Sequence, residues 1–182
     1  MDTLLLILLA VIGPMRISQP PLTAMETDEQ EAARIHSIVE DAIAVGGDAE
    51  DATLLLAVSF HESGWAADVD LGPCQRGEPG GPFRSRCDDS KAYCMMQIHA
   101  SPEHGAELFK DRRMCFREGL AALHASAKAC SKGPASEQFG VYAAGSCSTL
   151  AAKRGSRALF GQWRTLLTRY RAERARREEK RP

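Results

Sequence analysis

The chain has 182 residues, 44% of them hydrophobic and 26% charged, with a formal net charge of −1. That is one domain's worth of ordinary globular composition, which excludes wholesale disorder and a fibrous repeat. The longest apolar run, Leu4–Ile12, is nine residues; a spanning helix needs roughly 20, so a polytopic membrane protein is excluded as well.

Leu4–Ile12 has the length of a signal-peptide apolar region and is followed by the helix breakers Gly13 and Pro14. Leu22-Thr23-Ala24 offers a small residue before a cleavage point ahead of Met25, although no Lys or Arg precedes the run. Residues 1–25 are therefore expected to be a signal peptide or N-terminal anchor plus a proline-rich linker. The alternative is a short buried N-terminal segment.

Thr27 or Asp28 caps a helix whose apolar positions are Ala32, Ile35, Ile38, Val39, Ala42 and Ile43, a single stripe at 3.6-residue spacing. Gly46-Gly47 ends it. Asp48 caps a second helix, with Glu50 and Asp51 in its first turn. The body of that helix, Ala52 to Phe60, is apolar nearly all round, which predicts a central, buried helix. Residues 64–93 then form a long glycine- and proline-rich excursion, with Cys74, Cys87 and Cys94 available to tether it. Further helices are predicted at about Pro102–Lys110, Phe116–Cys130 and Ser136–Ala144. A last one starts near Ser156 and carries Phe160, Trp163, Leu166, Leu167 and Tyr170. Beyond Tyr170 no large apolar residue remains, so the end is expected to enter solvent or fray. No strand pattern is convincing, and a small hairpin in the excursion is the most β-structure expected. The class is all-α.

Charge is unevenly distributed. Glu26–Asp51 holds nine acids and one base, while Leu150–Pro182 holds eleven bases and three acids. The basic tail, taken as 171–182, either meets an anionic partner (wall polymer, membrane surface or nucleic acid) or is a solvated face that also partners the acidic end. The interleaving of Glu173, Glu178 and Glu179 with arginines favours the second reading. Aromatics are missing after Tyr170, which argues against single-stranded nucleic acid, and no specific nucleic acid is expected.

Six cysteines, Cys74, Cys87, Cys94, Cys115, Cys130 and Cys147, fit a disulfide framework in an exported protein, with fifteen connectivities open. No Cys-x-x-Cys or His-Glu-x-x-His spacing occurs, so no metal and no cofactor are expected.

Glu62 is the informative residue. It stands at the end of the apolar helix, just before Ser63-Gly64. Low-dielectric surroundings and the carbonyl end of the helix both disfavour its charged form. A raised pKa is what a general acid for glycosidic cleavage needs at neutral pH.

Three further segments follow in order: Tyr93-Cys94-Met95-Met96-Gln97-Ile98, Cys115-Phe116-Arg117-Glu118-Gly119-Leu120 and Val141-Tyr142-Ala143-Ala144-Gly145. Together with Glu62-Ser63 this resembles the lysozyme-like lytic transglycosylases and their relatives, the goose-type lysozymes. Those proteins carry Glu-Ser, then Gly-Leu-Met-Gln, then an Asn-Ile-x-x-Gly helix start, then Tyr-Asn-Ala-Gly. The resemblance covers about Ala49–Gly145. It departs at Cys94, where the family has Gly, at Cys115, where it has Asn, and at Ala143, where it again has Asn.

The resemblance implies a lysozyme-like helical domain over 26–170 with a disulfide-tethered loop insertion. It implies cleavage of the β-1,4 bond between N-acetylmuramic acid and N-acetylglucosamine of peptidoglycan strands by a monomer in the periplasm or outside the cell. Glu62 would be the catalytic acid and base, Ser63 would orient its carboxyl or the sugar, Met96 and Gln97 would line the cleft, and Tyr142 would close the site. A lytic transglycosylase uses the single acid and forms an anhydro product. A goose-type hydrolase would add a second carboxylate, for which Asp88 or Asp89 are the candidates and Asp68 or Asp70 the reserves. A non-catalytic wall- or chitin-binding module on the same scaffold is the other alternative.

Overall fold

The computed structural model describes residues 3–15, 26–70 and 91–180. Among these, eight α-helices and one two-stranded sheet are present, so the all-α reading holds. The excursion expected to be tethered, with Cys74, Cys87, Asp88 and Asp89, lies mostly outside the described residues, as does the expected cleavage point before Met25.

The first helix, α1 (Thr3–Ile12), buries Leu5, Ile7, Leu8, Val11 and Ile12. It packs on α2 (Asp28–Gly46) and on α8 (Leu150–Glu179). No helix among the described residues is long and apolar enough to cross a membrane.

Local chemistry sets the boundaries of α2. The Thr27 hydroxyl accepts from the Gln30 N–H, and the Gln30 side chain accepts from the Thr27 N–H, a reciprocal capping box. Gly47, at φ 75°, closes the other end. Asp48 caps α3 (Ala49–Ser63) by accepting from the Glu50 and Asp51 N–H groups at 2.8 and 2.9 Å. Ala52 to Ser59 are all buried, which makes α3 the central helix, as its all-round apolar sequence requires.

Past α3 the chain turns sharply. Gly64 and then Trp65 adopt the left-handed conformation, at φ 58° and 51°. For tryptophan this costs on the order of 1 kcal/mol. Burial of the indole offsets it: Trp65 is 1% exposed, its Nε1 donates to Ser59 Oγ at 2.9 Å, and its ring meets Phe60 edge-on. The short α4 (Ala67–Asp70) follows.

A hairpin pairs β1 (Ala92–Tyr93) with β2 (Ile98–His99), Tyr93 opposite Ile98. Tyr93 then lies against α5 (Pro102–Lys110), its ring meeting Phe109 at 5.6 Å. A Cβ on Gly105 would overlap that ring, so the close approach requires glycine. The next helix, α6 (Arg112–Ala129), begins four residues earlier than periodicity suggested, because Asp111 caps it through the Met114 N–H. The single helix expected over 136–144 is instead a 3-10 turn (Ala135–Glu137) and a five-residue α7 (Gly140–Ala144).

The last helix corrects its expected start, and its end enters solvent as expected but stays helical. It starts at Leu150, under a Thr149 cap, rather than near Ser156. It also continues past Tyr170 to Glu179, where i,i+3 and i,i+4 pairs from Arg176 and Arg177 to Glu173 and from Arg174 to Glu178 support the exposed turns.

The two charged ends do not partner each other in ion pairs among the described residues. Asp41 of α2 binds Arg112 and Arg113 of α6 at 2.8 and 2.7 Å. Lys153 and Arg157 of α8 bind Glu137 instead.

Candidate functional site

The turn at residues 94–97 joins the two hairpin strands. Cys94 sits at φ 55° and Gln97 at φ 49°, both in the region that favours glycine. Cys94 occupies the place where the resembled family has glycine, and its backbone conformation is the one glycine would supply. A disulfide from Cys94 to Cys115 ties this turn to the first turn of α6. The Cys94 carbonyl oxygen accepts both the Gln97 N–H and the Gln97 Nε2–H at 3.0 Å. Side chain and backbone of Gln97 are therefore fixed by one acceptor. Behind the turn, Met96 packs on Gly119 of α6, where a Cβ would press into the Met96 side chain.

Opposite this turn stands α7. Two buried serines hold it and the segment before it. Ser126 Oγ donates to the Gln138 carbonyl oxygen at 2.9 Å and accepts the Tyr142 N–H at 3.1 Å. Ser156 Oγ donates to the Ser136 carbonyl oxygen at 3.0 Å and accepts the Phe139 N–H at 2.9 Å. A second disulfide, Cys130–Cys147, closes the segment that contains α7. Each disulfide therefore secures one wall of the space between α7 and the hairpin.

That space is a cleft of about 870 Å³. Its walls are Met96, Gln97, Ile98 and His99 of the hairpin, Ala122, Ala125 and Ala129 of α6, and Val141, Tyr142 and Ala143 of α7. Glu62, in the last turn of α3, faces into it. Among the described residues it is the one carboxylate that does so. Burial pushes the Glu62 carboxyl from 4.5 up to about 7. Neither an ion pair nor a hydrogen bond holds it in the charged form among the described residues. The carboxyl therefore titrates near neutrality and is able to give and take a proton there.

Tyr142 donates its hydroxyl hydrogen to the Met96 carbonyl oxygen at 2.6 Å, joining the two walls. Burial first, and the nearby charge of Glu62 second, push this hydroxyl well above the usual tyrosine value. It remains a donor throughout the physiological range.

The structure brings together Glu62, Met96, Gln97 and Tyr142 from three separate stretches of chain. Ser63, expected to orient the Glu62 carboxyl or the sugar, instead bonds to the backbone on either side of Glu62. Its hydroxyl donates to the Ser59 carbonyl oxygen at 2.6 Å and accepts the Trp65 N–H at 3.1 Å, so it fixes the turn after Glu62 and does not line the cleft.

Asp70 is also placed away from the cleft. It is bound by Arg112 through two hydrogen bonds of 2.8 Å, with Arg34 at 3.7 Å, and the network joins α2, α4 and α6. Its partners make it a structural group. Asp68 lies in the same short helix and does not line the cleft either.

Sequence reasoning did not single out Ser126, Ser156 or Trp65. A serine inside an apolar helical stripe, and a tryptophan next to a helix-ending glycine, were the available signals. Among the described residues no three His, Cys, Asp or Glu side chains converge as metal ligands. No protein-family model matches the chain, and no curated protein and no solved structure matches it.

Proposed function

We propose that the chain is a lysozyme-like, peptidoglycan-cleaving enzyme that acts as a lytic transglycosylase on the β-1,4 bond between N-acetylmuramic acid and N-acetylglucosamine. The observation that carries this reading is the Glu62 carboxyl, raised to about 7 at the end of a buried helix and open to a cleft it shares with Gln97 and Tyr142. A neutral carboxyl there protonates the glycosidic oxygen as the bond breaks. The resulting carboxylate then takes the proton from the sugar's own 6-hydroxyl, which closes the anhydro ring and restores the acid.

Glu62 supplies the one acid and base that the single-acid route needs, at the end of α3 and open to the cleft. Asp88 and Asp89, the candidates for the goose-type alternative, are outside the described residues. The cleft also has room for a polysaccharide segment, and its alanine-rich α6 wall leaves space for substituted sugars. The two disulfides fit an exported protein working in the periplasm or outside the cell.

The test is digestion of purified wall sacculi followed by mass analysis of the released fragments. The proposal expects anhydro-ended muropeptides from the wild type and none from Glu62→Gln. Reducing ends would move the protein to the lysozymes. Pelleting with sacculi without any release would make it a binding module.

A further inference from the structure

From Leu150 to Ala172, helix α8 contains six cations and no acid. Lys153 and Arg157 are paired with Glu137. Arg154, Arg164, Arg169 and Arg171 are exposed and make no ion pair among the described residues. Arg157, Arg164 and Arg171 are spaced seven apart, so they return to nearly the same bearing every two turns, about 10.5 Å further along. Arg154 and Arg169 lie further round the exposed side of the helix, both to one side of that line. Of the aromatic residues of this helix, Tyr170 belongs to the core cluster and Phe160 and Trp163 pack against it. Between the arginines stand Ala158, Gly161, Thr165, Thr168 and Ala172, all small. From Arg154 to Arg171 this face is about 26 Å long and carries small residues between its arginines.

An apolar groove opens on the Arg154 and Arg169 side of this exposed face. Met15, Ala57, Phe60 and Leu166 form its apolar part, and Arg157, Gln162 and Arg169 stand at its rim. Its volume is about 370 Å³. It adjoins the end of α1, the most apolar of the described helices. Unneutralised arginines beside an apolar depression match the two chemistries of a lipid monolayer, anionic headgroups over acyl carbons. A single-stranded nucleic acid would use exposed aromatic platforms, and this face has none among the described residues.

We infer that the outer flank of α8, with the groove beside it, is a docking surface for an anionic phospholipid bilayer. Arg154, Arg164, Arg169 and Arg171 meet the headgroups, and the groove accepts the upper part of an acyl chain. The inference is independent of the chemistry assigned to Glu62.

The experiment is cosedimentation of the full chain with vesicles of phosphatidylcholine alone or with three-tenths phosphatidylglycerol, across a range of sodium chloride. Binding is expected to the anionic vesicles only and to weaken as salt rises. Each removed arginine is expected to lower partitioning about fivefold, so Arg164→Gln with Arg171→Gln lowers it on the order of 30-fold. Gly161→Glu, at a position where a Cβ meets open space, is expected to lower it too without unfolding the chain. Lys128→Gln with Lys132→Gln removes the same net charge elsewhere and is expected to leave partitioning nearly unchanged.

Four results would overturn the inference. One is equal binding to neutral vesicles, and another is equal loss in the two double variants. The third is undiminished binding by Gly161→Glu. The fourth is competition by oligonucleotide or by sacculi that is stronger than by anionic vesicles and lost in the Arg164/Arg171 variant. Muropeptide release measured on the same variants keeps this outcome separate from that of the cleft.

Discussion

The Tyr142 hydroxyl reaches the Met96 carbonyl oxygen across 46 residues of sequence, at 2.6 Å, and joins the two walls of the cleft that Glu62 faces. Tyr142→Phe removes this bond and leaves the Met96 carbonyl without its donor. The expected cost is about 1 kcal/mol of stability, measured by urea unfolding. Muropeptide release is expected to fall on the order of tenfold or more, because the Gln97 wall is no longer held to α7.

Glu62 makes stability depend on pH in a defined direction. Folded, its carboxyl titrates at about 7, against 4.5 for the exposed group. Between those values the folded chain binds more protons than the unfolded chain, so stability falls as pH rises from 4.5 to 7. Glu62→Gln removes the titration. The variant is expected to match the wild type near pH 4 and to exceed it at pH 8 by at most about 3 kcal/mol. Thermal melts at the two pH values check this. If Glu62 is the catalytic acid, wild-type turnover declines above about pH 7 and the stabilised variant has none.

Asp70 tests the opposite case, a buried carboxylate with partners on several sides. Asp70→Ala leaves the Arg112 guanidinium facing a vacated pocket and separates α4 from α2 and α6. The expected loss is about 3–5 kcal/mol by denaturant unfolding. Asp68→Ala is expected to leave that arginine network in place.

The Cys94–Cys115 bridge spans 21 residues of sequence. Replacing both cysteines with alanine is expected to cost about 3 kcal/mol. Glycine at position 94 with alanine at 115 is expected to recover about 1 kcal/mol of this, since Cys94 stands at φ 55°. Paired melts of the two double variants, oxidised elsewhere, provide the comparison.

Much of the helical framework was legible residue by residue. The Thr27 cap, Gly47, Asp48 and the bounds of α5 follow from side chains that act within one turn of themselves. The misjudged boundaries have local causes too. Asp111 and Thr149 were caps that the apolar period overlooked. The break inside 135–144 is enforced by Ser126 and Ser156 from other helices, which no local pattern carries.

By itself the sequence determined a mostly helical chain, a central helix that is apolar all round, and a glutamate at that helix's end. Tertiary structure alone decided that the Glu62 carboxyl is desolvated, that Gln97 and Tyr142 share its cleft, and that Ser63 and Asp70 do not. It also decided that α2's acids meet α6, and that Cys94 pairs with Cys115 and Cys130 with Cys147. The physical reason is range. Capping and periodicity act over a few residues along the chain, whereas desolvation, ion pairing and disulfide formation depend on distances through space that only the packed helices set.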